Sequence, residues 1–191
     1  MATEWSQQMS VTGVQAGGVG GGKEKITKKG AYRGTIIESD RIVAKSSGKE
    51  IVVITARCEE DGEFHGIEVG IPLGLDMSNK GNPRSWATLL RTILPASSHA
   101  QLEVGPVNVT SKGLIGKPIF FFVTADAQTE KNADGTWAKD PYINLLLASE
   151  YNSYKSGKPM GAHATGAQTS TSANNGTNGA STPEVASPFS I

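Results

Sequence analysis

The sequence predicts a mainly β domain, in which five strands form a Greek-key barrel with one helix and both chain ends form flexible tails. β-branched and aromatic residues, which favour strands, concentrate in five stretches of the middle of the chain. In one further stretch, the apolar residues recur at the spacing of a helix instead of that of a strand. Both ends are rich in glycine or small polar residues, which bury too little apolar surface to fold alone. The 191 residues therefore suit one domain with tails.

The first three strands are predicted to follow one another closely. Residues 31–44 read AYRGTIIESDRIVA and residues 50–60 read EIVVITARCEE, with the turn KSSGK between them. The Asp-Gly pair of EDGE indicates a tight hairpin into the third strand, residues 64–74. In that strand the aliphatic residues alternate with Phe64, Glu68 and two glycines, so the two sets point to opposite faces.

The helix is predicted at residues 82–94, NPRSWATLLRTIL. Asn82 is a suitable N-cap, Pro83 suits the first turn, and Pro95 ends the helix. Trp86 lies at helical spacing from the leucines and is expected in the core.

The last two strands are predicted at residues 117–127, KPIFFFVTADA, and 141–154, PYINLLLASEYNSY. Alternation along the fourth strand predicts that Phe121 is buried, and that Phe120 and Phe122 are open. A helix between the third and fourth of five strands is typical of the OB-fold, a partly open Greek-key barrel. The predicted domain boundaries are 1–27 for the Gly-rich N-terminal segment, 28–155 for the barrel and 156–191 for the low-complexity tail.

The tail ends in an apolar tip, with Val185, Pro188, Phe189 and Ile191. A flexible tether with such a tip suits the capture of a partner protein, and a tail without a role remains the alternative. The single cysteine, Cys58, lies in an apolar run and is expected to be buried. One cysteine permits neither a disulfide within the chain nor a Cys-based metal site.

Charge is balanced, with 18 Lys and Arg against 18 Asp and Glu, so an electrostatic partner must meet a local patch. No apolar run approaches the roughly 18 residues of a membrane span. The N-terminus lacks the basic and apolar regions of a secretory signal. We therefore expect a cytoplasmic protein without membrane contact.

An OB-fold binds ligands on the face of its second and third strands, between two flanking loops. The predicted order places cations and aromatic residues at both loops and on that face. The expected binding residues are Tyr32, Arg33, Lys45, Lys49, Arg57, Phe64, Lys131, Trp137, Lys139 and Tyr142. Glu68 and the acidic turn EEDGE would repel a phosphate backbone and so restrict its path.

The loop EKNADGTWAKDPY, residues 130–142, is polar and yet carries Trp137 between Lys131 and Lys139. Single-stranded nucleic acid is held by cations along its backbone and by aromatic rings on which bases stack. Trp137 is therefore predicted to stack on a base, and packing over one end of the barrel is the alternative.

No catalytic set is visible. His65, His99 and His163 are scattered, and nothing has the short spacing of metal ligands. Neither a phosphate-binding loop nor a dinucleotide fingerprint is present. We predict a protein that is not an enzyme and that needs no cofactor.

Three segments carry a resemblance to a known family: KGAYRGTIIESDRIVAKSSGKEIVVITARC, GIEVGIPLG and GLIGKPIFFFVTADAQTEKNADGTWAKDPYINLLLASEY. In the order of their elements and in their composition, they resemble the single-stranded DNA-binding proteins of bacteriophages, an OB-fold group. The resemblance covers residues 28–155 and includes a Gly-Lys pair, Gly116 and Lys117, before the fourth strand. The resemblance implies a flexible C-terminal tail. Tails of this group are usually acidic, whereas the predicted tail, residues 156–191, has Glu184 as its only acidic residue.

The expected function is sequence-tolerant binding of single-stranded DNA, which would coat and protect strands during phage replication or recombination in the host cytoplasm. Replication or recombination proteins are expected partners of the tip, and self-association is left open. The first alternative is a structural or protein-interaction β-barrel of a virion or replication complex. The second alternative is an oligosaccharide-binding OB domain. The several lysines around the predicted groove disfavour it.

Overall fold

The computed structural model describes residues 4–9, 26–44, 47–79, 81–126, 142–158 and 189–191. They form eight strands and four α-helices, with one short 3₁₀ turn at Ala96–Ser98. The strands are β1 Ser6–Met9, β2 Gly30–Val43, β3 Glu50–Cys58, β4 Glu68–Gly74, β5 Val107–Thr110, β6 Pro118–Val123, β7 Ile143–Leu146 and β8 Phe189–Ser190. The helices are α1 Gly81–Ile93, α2 His99–Leu102, α3 Ser111–Leu114 and α4 Ala148–Lys155.

The larger sheet contains five antiparallel strands in the spatial order β4-β3-β2-β6-β7. The long strand β2 lies in the centre and pairs with both β3 and β6. The sheet curls into a half-barrel, so its inner face encloses a core. The prediction of a mainly β domain built on a five-stranded sheet is confirmed.

Alternate residues of each strand fill the inner face. On β3 these are Val52, Ile54, Ala56 and Cys58, all fully buried, and β4 and β6 add aliphatic residues and Phe121. Helix α1 contacts β4, β6 and β7 and buries Trp86, whose Nε1 donates a hydrogen bond to the Gly74 carbonyl at 2.9 Å. The predicted burial of Cys58, Trp86 and Phe121 is therefore confirmed.

Two local features let β2 follow the curved β3. The register shifts between Ile36 and Glu38, which leaves Ile37 as the extra residue of a bulge. The bulge places Ile36 and Ser39, three positions apart, on the same inner face. At Gly34 an added Cβ would lie 2.4 Å from the Arg57 carbonyl oxygen, so only glycine permits the strands to approach this closely.

A smaller sheet joins the two ends of the chain, in the order β1-β5-β8. Strand β1 pairs antiparallel with β5, and β8 pairs parallel with it. Trp5, just before β1, is 7% exposed, donates from Nε1 to the Ser39 carbonyl at 3.1 Å and meets the Trp86 ring edge-on at 6.4 Å. Residues that the sequence assigned to tails thus enter the core, because burial of a large indole offsets the entropy lost on ordering.

The fifth predicted strand was too long. Strand β7 ends at Leu146, and residues 148–155 form α4 instead, whose sequence ASEYNSYK contains no β-branched residue. The Glu150 carboxylate accepts from the Leu147 backbone N–H at 2.8 Å and so caps the helix. No helix within the described ranges is long and apolar enough to cross a membrane.

Candidate nucleic-acid interface

The outer face of the five-stranded sheet, opposite the core, has two parts of different chemistry. We call the part over β2, β6 and β7 the aromatic half, which contains Ala31, Phe120, Phe122 and Leu146. We call the part over β2, β3 and β4 the charged half. Its charged and hydroxyl side chains are Arg33, Thr35, Glu38, Asp40, Thr55, Arg57 and Glu68, reached also by Glu59 and Glu60 from the β3–β4 loop.

Helix α4 covers the aromatic half. The Phe120 ring lies 4.9 Å from the Tyr151 ring, and the Phe122 ring lies 5.4 Å from that of Tyr154, measured between centroids. Phe122 is 3% exposed and Phe120 is half-buried. The interpretation that both phenylalanines are open was therefore wrong for Phe122 and only partly right for Phe120. The physical reason is helix α4, which forms from residues predicted to continue the last strand and packs on both rings.

Glu60 connects α4 with the charged half. Its carboxylate accepts hydrogen bonds from the Tyr151 hydroxyl, from Lys155 Nζ at 2.9 Å and from the Arg33 backbone N–H at 3.2 Å. Partial burial would raise the pKa of Glu60, but these hydrogen bonds outweigh it and lower that pKa. The carboxylate is therefore held ionised at the boundary between the two halves.

The same surroundings shift the pKa of Tyr151 in the opposite direction. Its burial, together with the hydrogen bond to Glu60, raises the pKa of its phenol to about 12, and the charge of nearby Arg33 opposes this only weakly. The Tyr151 hydroxyl thus remains a hydrogen-bond donor throughout the physiological pH range.

In the charged half, Arg57 and Thr55 lie on the outer side of β3, as predicted from the alternation. Arg57 Nη2 forms an ion pair with Glu68 Oε1 at 2.9 Å, and its side chain is about half exposed. Thr55 is buried and donates to Glu38 at 3.2 Å. Thr35 on β2 donates to Glu59 at 2.5 Å. Carboxylates thus already engage most of the polar groups on this surface.

Arg33 differs from Arg57 because its exposed side chain forms none of the ion pairs between described residues. Thr35 is the residue directly opposite Arg57, so Arg33 occupies the diagonal position, at roughly 7–8 Å by sheet geometry. The two arginines are therefore neighbours on one surface.

Tyr32 and Phe64 lie at the edge of the core rather than on the charged half. Tyr32 is 9% exposed, stacks on Phe121 at 5.8 Å and donates from its hydroxyl to the Lys28 carbonyl at 2.9 Å. Burial raises the pKa of Tyr32 to about 12. Phe64 lies in the turn before β4, not on the strand, and packs edge-on against Tyr32. The Tyr32 ring is thus not accessible to a base in this conformation.

Beside Phe64, Lys28 adds a cation that the sequence reading did not select. Its Nζ lies 6.0 Å from the centre of the Phe64 ring and forms an ion pair with Glu63 at 2.6 Å. Phe64 is partly exposed, so this pair of side chains presents a cation and an aromatic edge together.

The other predicted residues lie near the two loops. Lys49 is exposed and forms an ion pair with Asp76 at 3.0 Å. Hydrogen bonds from Ser78, together with this ion pair, lower the pKa of Asp76 to about 2. Tyr142 is 62% exposed at the start of β7. Four predicted residues lie outside the described ranges: Lys45, Lys131, Trp137 and Lys139.

Sequence reasoning missed the residues of α4 that shape the site. Tyr151, Tyr154 and Lys155 recur at spacings of three and four, which is the signal of a helix face, and this could have identified α4. No sequence pattern predicts the contacts of Glu60, because its partners on α4 lie about ninety residues away in the chain.

Within the described residues, no group of three His, Cys, Asp or Glu side chains could hold a metal ion. No family model matches the chain, and no curated protein or solved structure shows significant similarity to it. The functional argument therefore depends on the geometry of the outer face.

Proposed function

We propose that this protein binds single-stranded DNA without sequence preference, in the cytoplasm of a host cell, during phage replication or recombination. The charged half is the proposed binding surface, with the flanking loops on either side. Arg33, Arg57, Lys49 and the loop lysines Lys45, Lys131 and Lys139 contact phosphates in this proposal. Phe64, Trp137 and Tyr142 supply rings for bases, and Tyr32 is left out because its ring belongs to the core.

The observation that carries the proposal is the strand order. β2, β3 and β4 follow one another by hairpins, and β6 returns to lie beside β2. This is the order of a Greek key, and with β7 as the fifth strand it supports an OB-type barrel. In such a barrel the ligand face is the outer surface of the strands that correspond to β3 and β4, where Arg57 lies.

The position of Arg33 and Arg57 gives further support. Neighbouring exposed arginines on a sheet surface can contact successive phosphates of an extended strand. Arg57 would exchange Glu68 for a phosphate, and exposed ion pairs of this kind contribute only about 0.2–1 kcal/mol, so the exchange costs little.

The acids of the charged half favour the second candidate, a protein-interaction module. Five acids outnumber the two arginines there, and a basic partner surface would complement them: Glu38, Asp40, Glu59, Glu60 and Glu68. A DNA strand bound to Arg33 and Arg57 would therefore have to displace Glu68 from Arg57 and pass close to Glu59 and Glu60.

The test is fluorescence anisotropy of a labelled oligo-dT of about 30 nucleotides at two salt concentrations. We expect Arg33→Ala/Arg57→Ala to weaken binding by about tenfold and to reduce the salt slope by about 1.4, since each phosphate contact contributes roughly 0.7 on single strands. The matched control is Arg84→Ala/Lys112→Ala, which removes the same charge from α1 and α3. It should change affinity less than about twofold, because only the weak long-range field is altered.

Equal losses in the two double variants would show that binding depends on net charge and not on this surface. An absence of binding to oligo-dT even at low salt would overturn the proposal and make the protein-interaction module the leading function.

Trp137 has its own test. As a stacking residue its replacement by alanine should weaken oligo-dT binding by about 1–3 kcal/mol and leave urea unfolding unchanged. The opposite result, a loss of stability with unchanged binding, would identify Trp137 as a cap on the barrel.

A further inference from the structure

The last three residues of the chain, Phe189–Ile191, form what we call the tip, which adds a parallel strand to β5. The Ile191 N–H donates to the Asn108 carbonyl at 3.1 Å. The Ile191 carbonyl accepts from Thr110 twice, from the backbone N–H at 3.1 Å and from the hydroxyl at 2.9 Å. The Ile191 side chain is half-buried against the main core. The tip is thus recognised by main-chain hydrogen bonds and one aliphatic anchor.

Gly113 on α3 provides the space for the tip. A Cβ added there would lie 1.8 Å from the Ile191 carbonyl carbon and 2.2 Å from its oxygen. The backbone itself does not demand glycine, because Gly113 is not among the glycines with positive φ and lies within a helix. The close approach of Ile191 is therefore the feature that requires a residue without a side chain at this position.

Thr110 links the tip to the rest of the fold. Its hydroxyl donates to Ile191 and also accepts from the Gly113 N–H at 3.0 Å, which caps α3. The same backbone segment is fixed on its other side by Trp5, whose carbonyl accepts from the Ser111 N–H at 3.0 Å. The site for the tip is therefore held in place by contacts that do not involve the tip.

We propose that the β5 edge beside Gly113 is a binding site for an extended apolar peptide, and that the tip of a second copy of this chain exchanges there with the chain's own tip. Strand addition supplies affinity through main-chain hydrogen bonds, and the pocket for the aliphatic side chain supplies selectivity. This site lies on the smaller sheet, and the proposal does not depend on DNA binding.

The length of the connecting chain supports exchange between copies. Thirty residues, 159–188, separate α4 and its following turn from the tip, with Glu184 as their single Asp, Glu, Lys or Arg. Such a length can span at most about 100 Å when fully extended. Capture within one copy dominates in dilute solution, because tethering gives an effective concentration of the order of millimolar. Capture from a neighbour becomes competitive when copies are crowded together.

The test uses a fluorescent peptide of residues 183–191 and three forms of the full chain. Ile191→Pro removes the N–H donor and the aliphatic anchor, so it frees the site. We expect saturable peptide binding to Ile191→Pro, and at least tenfold weaker binding to the unmodified chain and to Ile191→Pro/Gly113→Ala. A scrambled peptide of the same composition is the control. The proposal is overturned if the peptide fails to bind Ile191→Pro, or binds it equally with and without Gly113→Ala.

Misfolding of the Gly113 variant is detected separately. In the Ile191→Pro chain, Gly113→Ala should leave the melting temperature unchanged or raise it, since alanine is favoured over glycine in helices. Amide exchange at Thr110 should be faster in both Ile191→Pro and full-chain Gly113→Ala. We expect dimers that form at high concentration in the unmodified chain and not in Ile191→Pro, and their absence would overturn the exchange between copies.

Discussion

The aromatic half and the charged half of the outer face share the central strand β2, and yet they meet solvent in different ways. Phe120 and Phe122 on β6 are covered by α4, whereas Arg33 and Arg57 on β2 and β3 remain exposed. Strand alternation assigns all four residues to the outer face without distinguishing them. Whether an outward residue is available to a ligand is decided by what packs on it, and the described residues cover only the aromatic half.

Glu60 lies where the two halves meet and contacts residues of both. It holds α4 through Tyr151 and Lys155, and it accepts from the backbone of Arg33 on β2. Substitutions on the aromatic half should therefore affect stability, and substitutions on the charged half should affect binding. Substitutions at Glu60 should affect the contact between α4 and the charged half.

The largest expected effect is on the aromatic half. Phe122→Ala should lower the free energy of unfolding by about 3–4 kcal/mol, because a fully packed ring leaves a cavity. Phe120→Ala, at a half-buried position, is the matched comparison and should cost less, about 1–2 kcal/mol. Urea unfolding followed by Trp emission measures both. Equal losses would show that α4 does not distinguish the two positions.

A smaller, pH-dependent effect is expected at the boundary. Glu60→Gln should lower the free energy of unfolding by about 1–2 kcal/mol at pH 7, since hydrogen bonds to a charged group are lost. The folded-state pKa of Glu60 is lowered, so its contribution is complete above the ordinary value of about 4.3 and disappears as the pH falls through the folded-state pKa.

The stabilities of the unmodified chain and of Glu60→Gln should therefore converge in acid. Thermal unfolding between pH 7 and pH 3 measures this, and Tyr151→Phe is the control, because it removes one hydrogen bond and retains the carboxylate. A constant difference across this range would contradict the assignment of the effect to Glu60 ionisation.

The smallest effect on stability is expected in the charged half. Glu68→Gln should change the free energy of unfolding by less than about 0.5 kcal/mol, because its ion pair with Arg57 is exposed. The affinity for oligo-dT should nevertheless rise, by up to about fivefold, as Arg57 is released for phosphate and a repulsive charge is lost. Unchanged or weaker binding would place the DNA away from Arg57.

Much of the fold could be predicted from local patterns. The period-two alternation of β3 and the helical spacing around Trp86 assign the inner face correctly, and Cys58 and Phe121 are buried as expected. The candidate site was predictable in part: Arg33 and Arg57 are exposed neighbours on β2 and β3, while Tyr32 belongs to the core and Phe64 to a turn. Alternation along β2 places Tyr32 and Arg33 on opposite faces of the sheet, but it does not identify the neighbours that cover the Tyr32 ring.

What the sequence by itself determined is therefore the order and type of the main elements, because hydrophobic periodicity acts over a few residues and can be read locally. Only the tertiary structure decided that Trp5 fills the core, that α4 closes over Phe122 and that Ile191 joins β5 beside Gly113. These contacts join residues tens of positions apart, so their energy depends on how the whole chain folds back on itself, and no local pattern records it.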